Sequence, residues 1–283
     1  MLVAAMGFSM MGGFAKVLKT SFNAPQLVFY RNLTGLIVLS YSFFHYPIKQ
    51  SGGRLRLLIL RGVMGTVALY TLLYLILHIP LGSALTYNTT NTLFIALLSF
   101  SLLKEKLNAI AWVCIVIGFT GVLLIYNPSL DFGLKYHIVG LICGISSALA
   151  YLSVSSLNRY YDTRIIVLSF LLSGIALPGT GMLLHWLAAL PTDEFFITWF
   201  RWPRGEEWFF IAAMGMAALL GQYFVTKAYA NDKAGIVSAI GYSNIIFALV
   251  IGIILGDPFP GIRSLIGILL VIGSGILISL SKK

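Results

Sequence analysis

Residues 93–107, LFIALLSFSLLKEKL, return in altered form as residues 245–259, IIFALVIGIILGDPF. Each is an apolar run that ends in leucine, one residue and then an acid, Glu105 or Asp257, and each is followed by a second apolar run. The acids stand 152 residues apart, and so do Gly121 and Gly273 in the runs that follow. A weaker match, GFSMMGGF at 7–14 and GISSALAY at 144–151, has an offset of 137. The chain therefore reads as two halves, expected at 1–127 and 137–283, that repeat one pattern.

Outward from these stretches, apolar runs of about 20 residues recur from end to end, each long enough to cross a hydrocarbon core of about 30 Å. Ten spans are expected, at 2–19, 24–44, 57–78, 81–103, 107–126, 137–157, 164–187, 207–229, 234–256 and 261–280. The first begins at Met1 with neither a basic n-region nor an A-x-A cleavage signal, so it is expected to span rather than to be removed. Pro25, Gly52–Gly53, Lys104–Glu105–Lys106, Asn127–Pro128, Asp232–Lys233 and Asp257–Pro258 punctuate the runs. The longest connection, PTDEFFITWFRWPRGEE at 191–207, mixes acids with Phe195, Trp199 and Trp202 and suits the aromatic belt of an interface. Five spans per half is an odd number, so the second half enters the membrane from the opposite side. That is the inverted repeat of many secondary transporters, whose substrate site lies near the midplane where the repeats meet.

Composition agrees. The 283 residues are 59% hydrophobic and 10% charged, against about a quarter charged in soluble domains. The net charge of +10 does not indicate nucleic acid, because the basic residues gather in short loops between spans. Of the nineteen Lys and Arg residues, twelve fall on the side that holds both termini and seven on the other. By the positive-inside rule that side is expected in the cytoplasm; a plasma membrane, the inner membrane of a bacterium, is the expected location. Cys114 and Cys143 sit in apolar runs with no disulfide or metal spacing, and no cofactor or metal is expected.

Within span 4, residues 85–94 read LTYNTTNTLF. At about 100° per residue, Tyr87, Asn91, Asn88, Thr92 and Thr90 share an arc of roughly 200°, with only Thr89 outside it. Polar side chains at membrane depth face protein or a wet cavity. Two asparagines and a tyrosine favour a cavity wall over interhelical hydrogen-bond glue, which averages about 0.6 kcal/mol per pair. The offset of 152 sets Thr90, Asn91 and Thr92 opposite Tyr242, Ser243 and Asn244 of SAIGYSNIIF, 238–247.

The pattern LRGVMGTVALYTLLYLILHIPLGSALTYNTTNTLFIALLSFSLLKEKL, with Arg31 in span 2, Arg61–Gly62 opening span 3 and Leu103–Lys104–Glu105 closing span 4, resembles the EamA-type branch of the drug/metabolite transporter superfamily. The resemblance covers essentially the whole chain. It implies an all-α multi-pass membrane protein, ten helices in two inverted five-helix repeats, with spans 1–4 and 6–9 around a central cavity and spans 5 and 10 peripheral. It implies metabolite or drug transport without ATP. The family often has a proline near the middle of spans 4 and 9, where this chain has Thr92 and Asn244.

The candidate substrate-binding residues are Tyr87, Asn88, Asn91, Thr92, Tyr242, Ser243 and Asn244, with Gln222 in span 8, Tyr70 and Tyr74 in span 3, and Tyr151 in span 6. Ser146 and Ser147 weigh more towards packing. Gly140-x-x-x-Gly144 and Gly252-x-x-x-Gly256 are expected to be helix-packing surfaces. Lys16 and Arg31 complete the candidates. Lys16 either snorkels to the interface or faces solute, and Arg31 serves backbone carbonyls or substrate; together they would make the outer mouth electropositive.

All nine acids fall in loops or at span ends. The membrane glutamate with which the small multidrug resistance proteins exchange protons for cations has no counterpart, so a neutral, zwitterionic or anionic metabolite is expected. Export of amphipathic drugs or toxic compounds is the alternative. An intramembrane enzyme is a remote reading, since G-x-S-x-G, H-E-x-x-H and P-loop patterns are all absent. The expected partners are a small-molecule substrate and the lipid bilayer, with the chain a monomer or a homodimer through peripheral helices.

Overall fold

The structure is a computed structural model that describes residues 1–45, 52–103, 109–125, 133–188, 190–193, 195–231, 237 and 240–281. Among them every regular element is helical. The helices are α1 (Leu2–Val17), α2 (Ala24–His45), α3 (Leu55–His78), α4 (Leu81–Thr89), α5 (Asn91–Leu103), α6 (Ala109–Ile125), α7 (Leu134–Leu157), α8 (Thr163–Ala188), α9 (Glu207–Asn231), α10 (Ser243–Ile254) and α11 (Ile262–Ser281). Six helical stretches, within α1 to α3 and α7 to α9, are long and apolar enough to cross a membrane. The protein is a helical multi-pass membrane protein. Glu105 with its flanking lysines, Asn127–Pro128 and Asp232–Lys233 lie outside the described residues.

Span 4 is two helices rather than one. α4 stops at Thr89 and α5 restarts at Asn91. Thr90 explains the break: its hydroxyl donates to the Tyr87 carbonyl (2.6 Å), and its N–H is shared between Thr86 O and Tyr87 O, both at 3.2 Å. Such back-bonding competes with the regular ladder. On the far side, Leu93 N–H closes a short i→i−3 bond to Thr90 O (2.9 Å). Span 9 repeats this: α10 begins after a turn at Tyr242, Ile245 N–H reaches Tyr242 O (3.0 Å), and Ser243 Oγ donates to Ile240 O (2.7 Å). Thr90 and Tyr242 are the pair related by 152 residues. The interruptions form without proline, two residues before Thr92 and Asn244.

The principal packing pairs carry an exchange symmetry. α1 packs on α9 and α10, while α7 packs on α3 and on the α4–α5 pair. α2 packs on α8 and α9, while α8 packs on α2 and α3; α6 packs on α11, and α4 on α10. Swapping α1 with α7, α2 with α8, α3 with α9, α4–α5 with α10 and α6 with α11 maps this pattern onto itself. Peripheral α6 and α11 meet closely at Gly121, where an added Cβ would lie 2.7 Å from Gly267 O.

The two glycine pairs divide. Gly140 and Gly144 are packing positions: a methyl on either would collide with the Tyr87 ring or with Thr90 Oγ1. Gly252 also packs, against Leu81 and the Asp257 carboxylate. Gly256, by contrast, has φ +89 with open space around it. It ends α10 in the left-handed conformation that glycine adopts without strain, and is not the packing position expected from the spacing.

Candidate functional site

Two adjoining cavities run through the middle of the bundle and share Phe8, Asn88 and Tyr151. The first, about 40 Å³, is bordered by Arg31, Arg61, Asn88, Ser147, Tyr151, Phe170 and Gln222. The second, about 30 Å³, is bordered by Met1, Thr89, Asn91, Thr92, Tyr229 and Asn244. Solute pockets are typically several hundred Å³, so both cavities are small.

The interrupted helices supply the polar wall. Asn88 closes α4 and accepts from Ser147 Oγ on α7 (2.8 Å). Asn91 opens α5, with Thr92 Oγ1 3.3 Å from its carbonyl oxygen. Across the cavity, Asn244 near the start of α10 accepts from Ser9 Oγ of α1 (2.6 Å). Gln222 Nε2 lies 3.3 Å from Thr226 Oγ1, one turn along α9. Tyr151 stacks on Tyr229 at 4.9 Å between ring centroids. These bonds leave donors and acceptors over, which a small cavity can turn towards solute.

Arg31 and Arg61 are the cations of the cavity, only 2% and 1% exposed. The pairing of Arg61 with Gly62 has a local logic. Gly62 lets α3 approach α8, where a Cβ would lie 2.6 Å from Ser169 O, while Gly65 one turn on leaves room for the Arg61 guanidinium and the Phe170 ring.

Of the thirteen expected residues, Arg31, Asn88, Asn91, Thr92, Tyr151, Gln222 and Asn244 border the cavities. Six are elsewhere. Lys16 forms an ion pair with Asp257, whose second oxygen accepts from Leu81 N–H at the start of α4 (2.9 Å). An anion suits that helix N-terminus. The pair holds Lys16 inside the bundle, and Lys16 borders neither of the two cavities that Arg31 and Asn244 line. Tyr87 turns towards α7, hydrogen-bonds His137 Nδ1 and covers Gly140. Tyr242 packs on Gly275 of α11, and Ser243 caps its own turn. Tyr74 stacks on Phe195 (4.5 Å) and His78 (4.2 Å). Tyr70 is half-buried beside the same core rather than at the cavity.

Sequence reasoning misses or underweights Arg61, Ser147, Phe170 and Thr89. A wheel drawn for one continuous helix sets Thr89 outside the polar arc. On that wheel the cavity face runs from Asn91 through Asn88 and Thr92 to Thr89, about 160°, while Tyr87 and Thr90 face Gly140 and Gly144 of α7. For Arg61 the available signal is its place inside an apolar run with glycine four residues later.

Above the cavity the described part of the 191–206 loop lies across the bundle. Phe195 stacks on Tyr74, Lys135 Nζ stands over both rings at 5.2 and 5.3 Å, and Gln26 Nε2 donates to Trp199 O (3.0 Å). Asp193 organises the loop by accepting from Phe195 N (2.7 Å), Ile197 N (3.0 Å) and Phe196 N. Partial burial raises its carboxyl, but these donors outweigh that and hold it below its ordinary value.

The pattern of the EamA-like transporter family matches residues 1–127. An uncharacterized transporter of Helicobacter pylori (strain J99) is 37% identical, over 99% of this chain and 93% of that protein. The pseudopaline exporter CntI of Pseudomonas aeruginosa (strain PAO1) is 28% identical, over 100% of this chain and 95% of its own length. A crystal structure with TM-score 0.65 covers 98% of this chain and 96% of that one at 17% identity, a likeness of fold.

Proposed function

This chain belongs to the EamA-like transporter family and is a multi-pass membrane transporter; on that premise we propose that it is a secondary transporter that moves a small anionic or zwitterionic metabolite by alternating access, without ATP. The observation that carries this reading is the pair of helix breaks at Thr90 and Tyr242 beside the buried polar cavity. Broken helices at matching positions of two halves are the device by which transporters line a midplane site. The exchange symmetry of the packing supports two inverted repeats, 1–127 and 137–283, whose halves can trade conformations at similar energy.

With both termini cytoplasmic, as the basic-residue count favours, the second cavity lies on the cytoplasmic side and the Lys16–Asp257 pair at the outer end. The conformation is then a contracted one closed outward by that pair and by the 191–206 loop. The cavity's cations and amides favour a polar solute over an amphipathic drug.

The test is counterflow in proteoliposomes against a panel of organic acids, amino acids, nucleosides and vitamins. A carrier gives saturable uptake stimulated by solute on the opposite side. Conductance without saturation, or no counterflow across the panel, refutes the reading.

A further inference from the structure

Arg31 on α2 and Arg61 on α3 converge on one ring. Their guanidinium carbons lie 5.0 and 5.3 Å from the centroid of Phe170 on α8. Both side chains are more than nine-tenths buried, and both border the first cavity. Arg31 Nη1 donates to Asn32 Oδ1 (2.9 Å). The Nε atoms of both arginines have no hydrogen-bond acceptor among the described residues. No described carboxylate is paired with either one: among the described residues the ion pairs are Lys16–Asp257, Arg164–Asp162 and Arg201–Glu207.

Guanidinium stays charged under these conditions, and the residues bordering the first cavity include no acid. Two buried like charges on one ring therefore repel each other in a medium that screens weakly. Cation–π contact with a single shared Phe offsets only part of the desolvation. Packing alone would be served better by apolar residues. The arrangement becomes favourable when an anion enters, because guanidinium forks match carboxylate and phosphate oxygens.

We infer that Arg31 and Arg61 form an anion clamp, and that the transported solute is a small organic dianion, most simply a dicarboxylate. This rests on the carrier reading above and sharpens its substrate class. Asn88, Ser147 and Gln222, which border the same cavity, hydrogen-bond the carboxylate oxygens that the arginines leave over. Phe170 fixes the spacing of the two cations.

The test is a charge series of equal chain length. Purified protein is heated with succinate, butanoate or succinamide, with the five-carbon set glutarate, pentanoate and glutaramide, and with inorganic phosphate. The dianions raise the unfolding midpoint by mass action, the monoanions less, and the diamides not at all. A phosphate shift without a dicarboxylate shift would move the assignment from dicarboxylates to phosphate esters and overturn the dicarboxylate form. The dianion shift disappears in R31Q and R61Q. Should either fail to fold, the wild-type series decides alone, and G65A, which displaces the Arg61 guanidinium without removing its charge, weakens the shift. Equal shifts from diamides and dianions, no shift from any dianion, or a shift that survives both Gln variants overturns the inference. Saturable counterflow of neutral solutes alone would overturn the clamp and leave the carrier standing; absence of any counterflow would remove the carrier reading itself.

Discussion

Lys16 and the two arginines are cations buried at membrane depth, and the structure treats them differently. Lys16 has a carboxylate partner, and that carboxylate also caps α4. Arg31 and Arg61 face a cavity with no acid among the described residues that border it. A paired charge closes a surface, because its partner satisfies it in place. An unpaired one keeps its capacity for something that arrives. The contrast separates an outer closure from a binding wall and can be broken at either end.

The largest effect is expected from Asp257→Asn. It keeps an acceptor for Leu81 N–H but leaves Lys16 buried without a counter-charge. Removing one member of such a pair costs about 3 kcal/mol, read as a lower unfolding midpoint in detergent. Lys16→Met combined with Asp257→Leu recovers much of that loss, since an apolar pair carries no desolvation penalty.

Gly65→Ala comes next. Its methyl would lie 2.7 Å from Phe170 Cδ2 and meet the Arg61 guanidinium, an overpacking of about 2 kcal/mol. Stability measured by thermal unfolding falls by that order, and anion-dependent stabilisation shrinks with it.

Asn91→Leu and Asn244→Leu act on transport more than on folding. Each removes one hydrogen-bonding group from the cavity, about 1.4 kcal/mol, or roughly tenfold in initial counterflow rate. Ser9 retains Ala5 O as an acceptor at 3.0 Å when Asn244 is gone, so the fold persists. Normal rates in both variants would remove these asparagines from the site.

The smallest effect lies in the outer loop. The Asp193 carboxyl sits below its ordinary value, so its three backbone bonds stabilise the loop above that value and are lost as pH falls through the lowered one. Protease cleavage within 191–206 should therefore rise only on acidification past the ordinary carboxylate range. Asp193→Asn should raise it at neutral pH.

Most of the fold was legible because apolar runs and their punctuation report directly on spans. The breaks in spans 4 and 9 were not, since proline, the usual signal, is absent. What makes them is threonine and serine back-bonding, which residues 85–94 and 238–247 advertised only as polarity. Thr89 and Tyr87 were misplaced because the polar residues run around more of the helix than the cavity face, and polarity alone does not say that Tyr87 and Thr90 pack on the glycines of α7. Asn88, Asn91 and Asn244 were legible as amides at membrane depth. Arg61 was hidden by its nearness to a loop, where it counted as topology; its place at the cavity is set by Gly65, one turn away, and Phe170, one helix away. Lys16 was not legible because its partner Asp257 is 241 residues distant.

The most direct measurement compares water access at neighbouring positions of α4. In a chain with Cys114 and Cys143 replaced by alanine, which also removes the Cys143 sulfur 3.6 Å from Asn88, single cysteines are placed at Asn88 and at Tyr87. They are labelled with a membrane-impermeant maleimide from either side of oriented vesicles. Labelling is expected at Asn88 from both sides in turn, as the cavity opens alternately, with protection at Tyr87 against α7. Labelling of both alike, or of neither, would contradict that expectation.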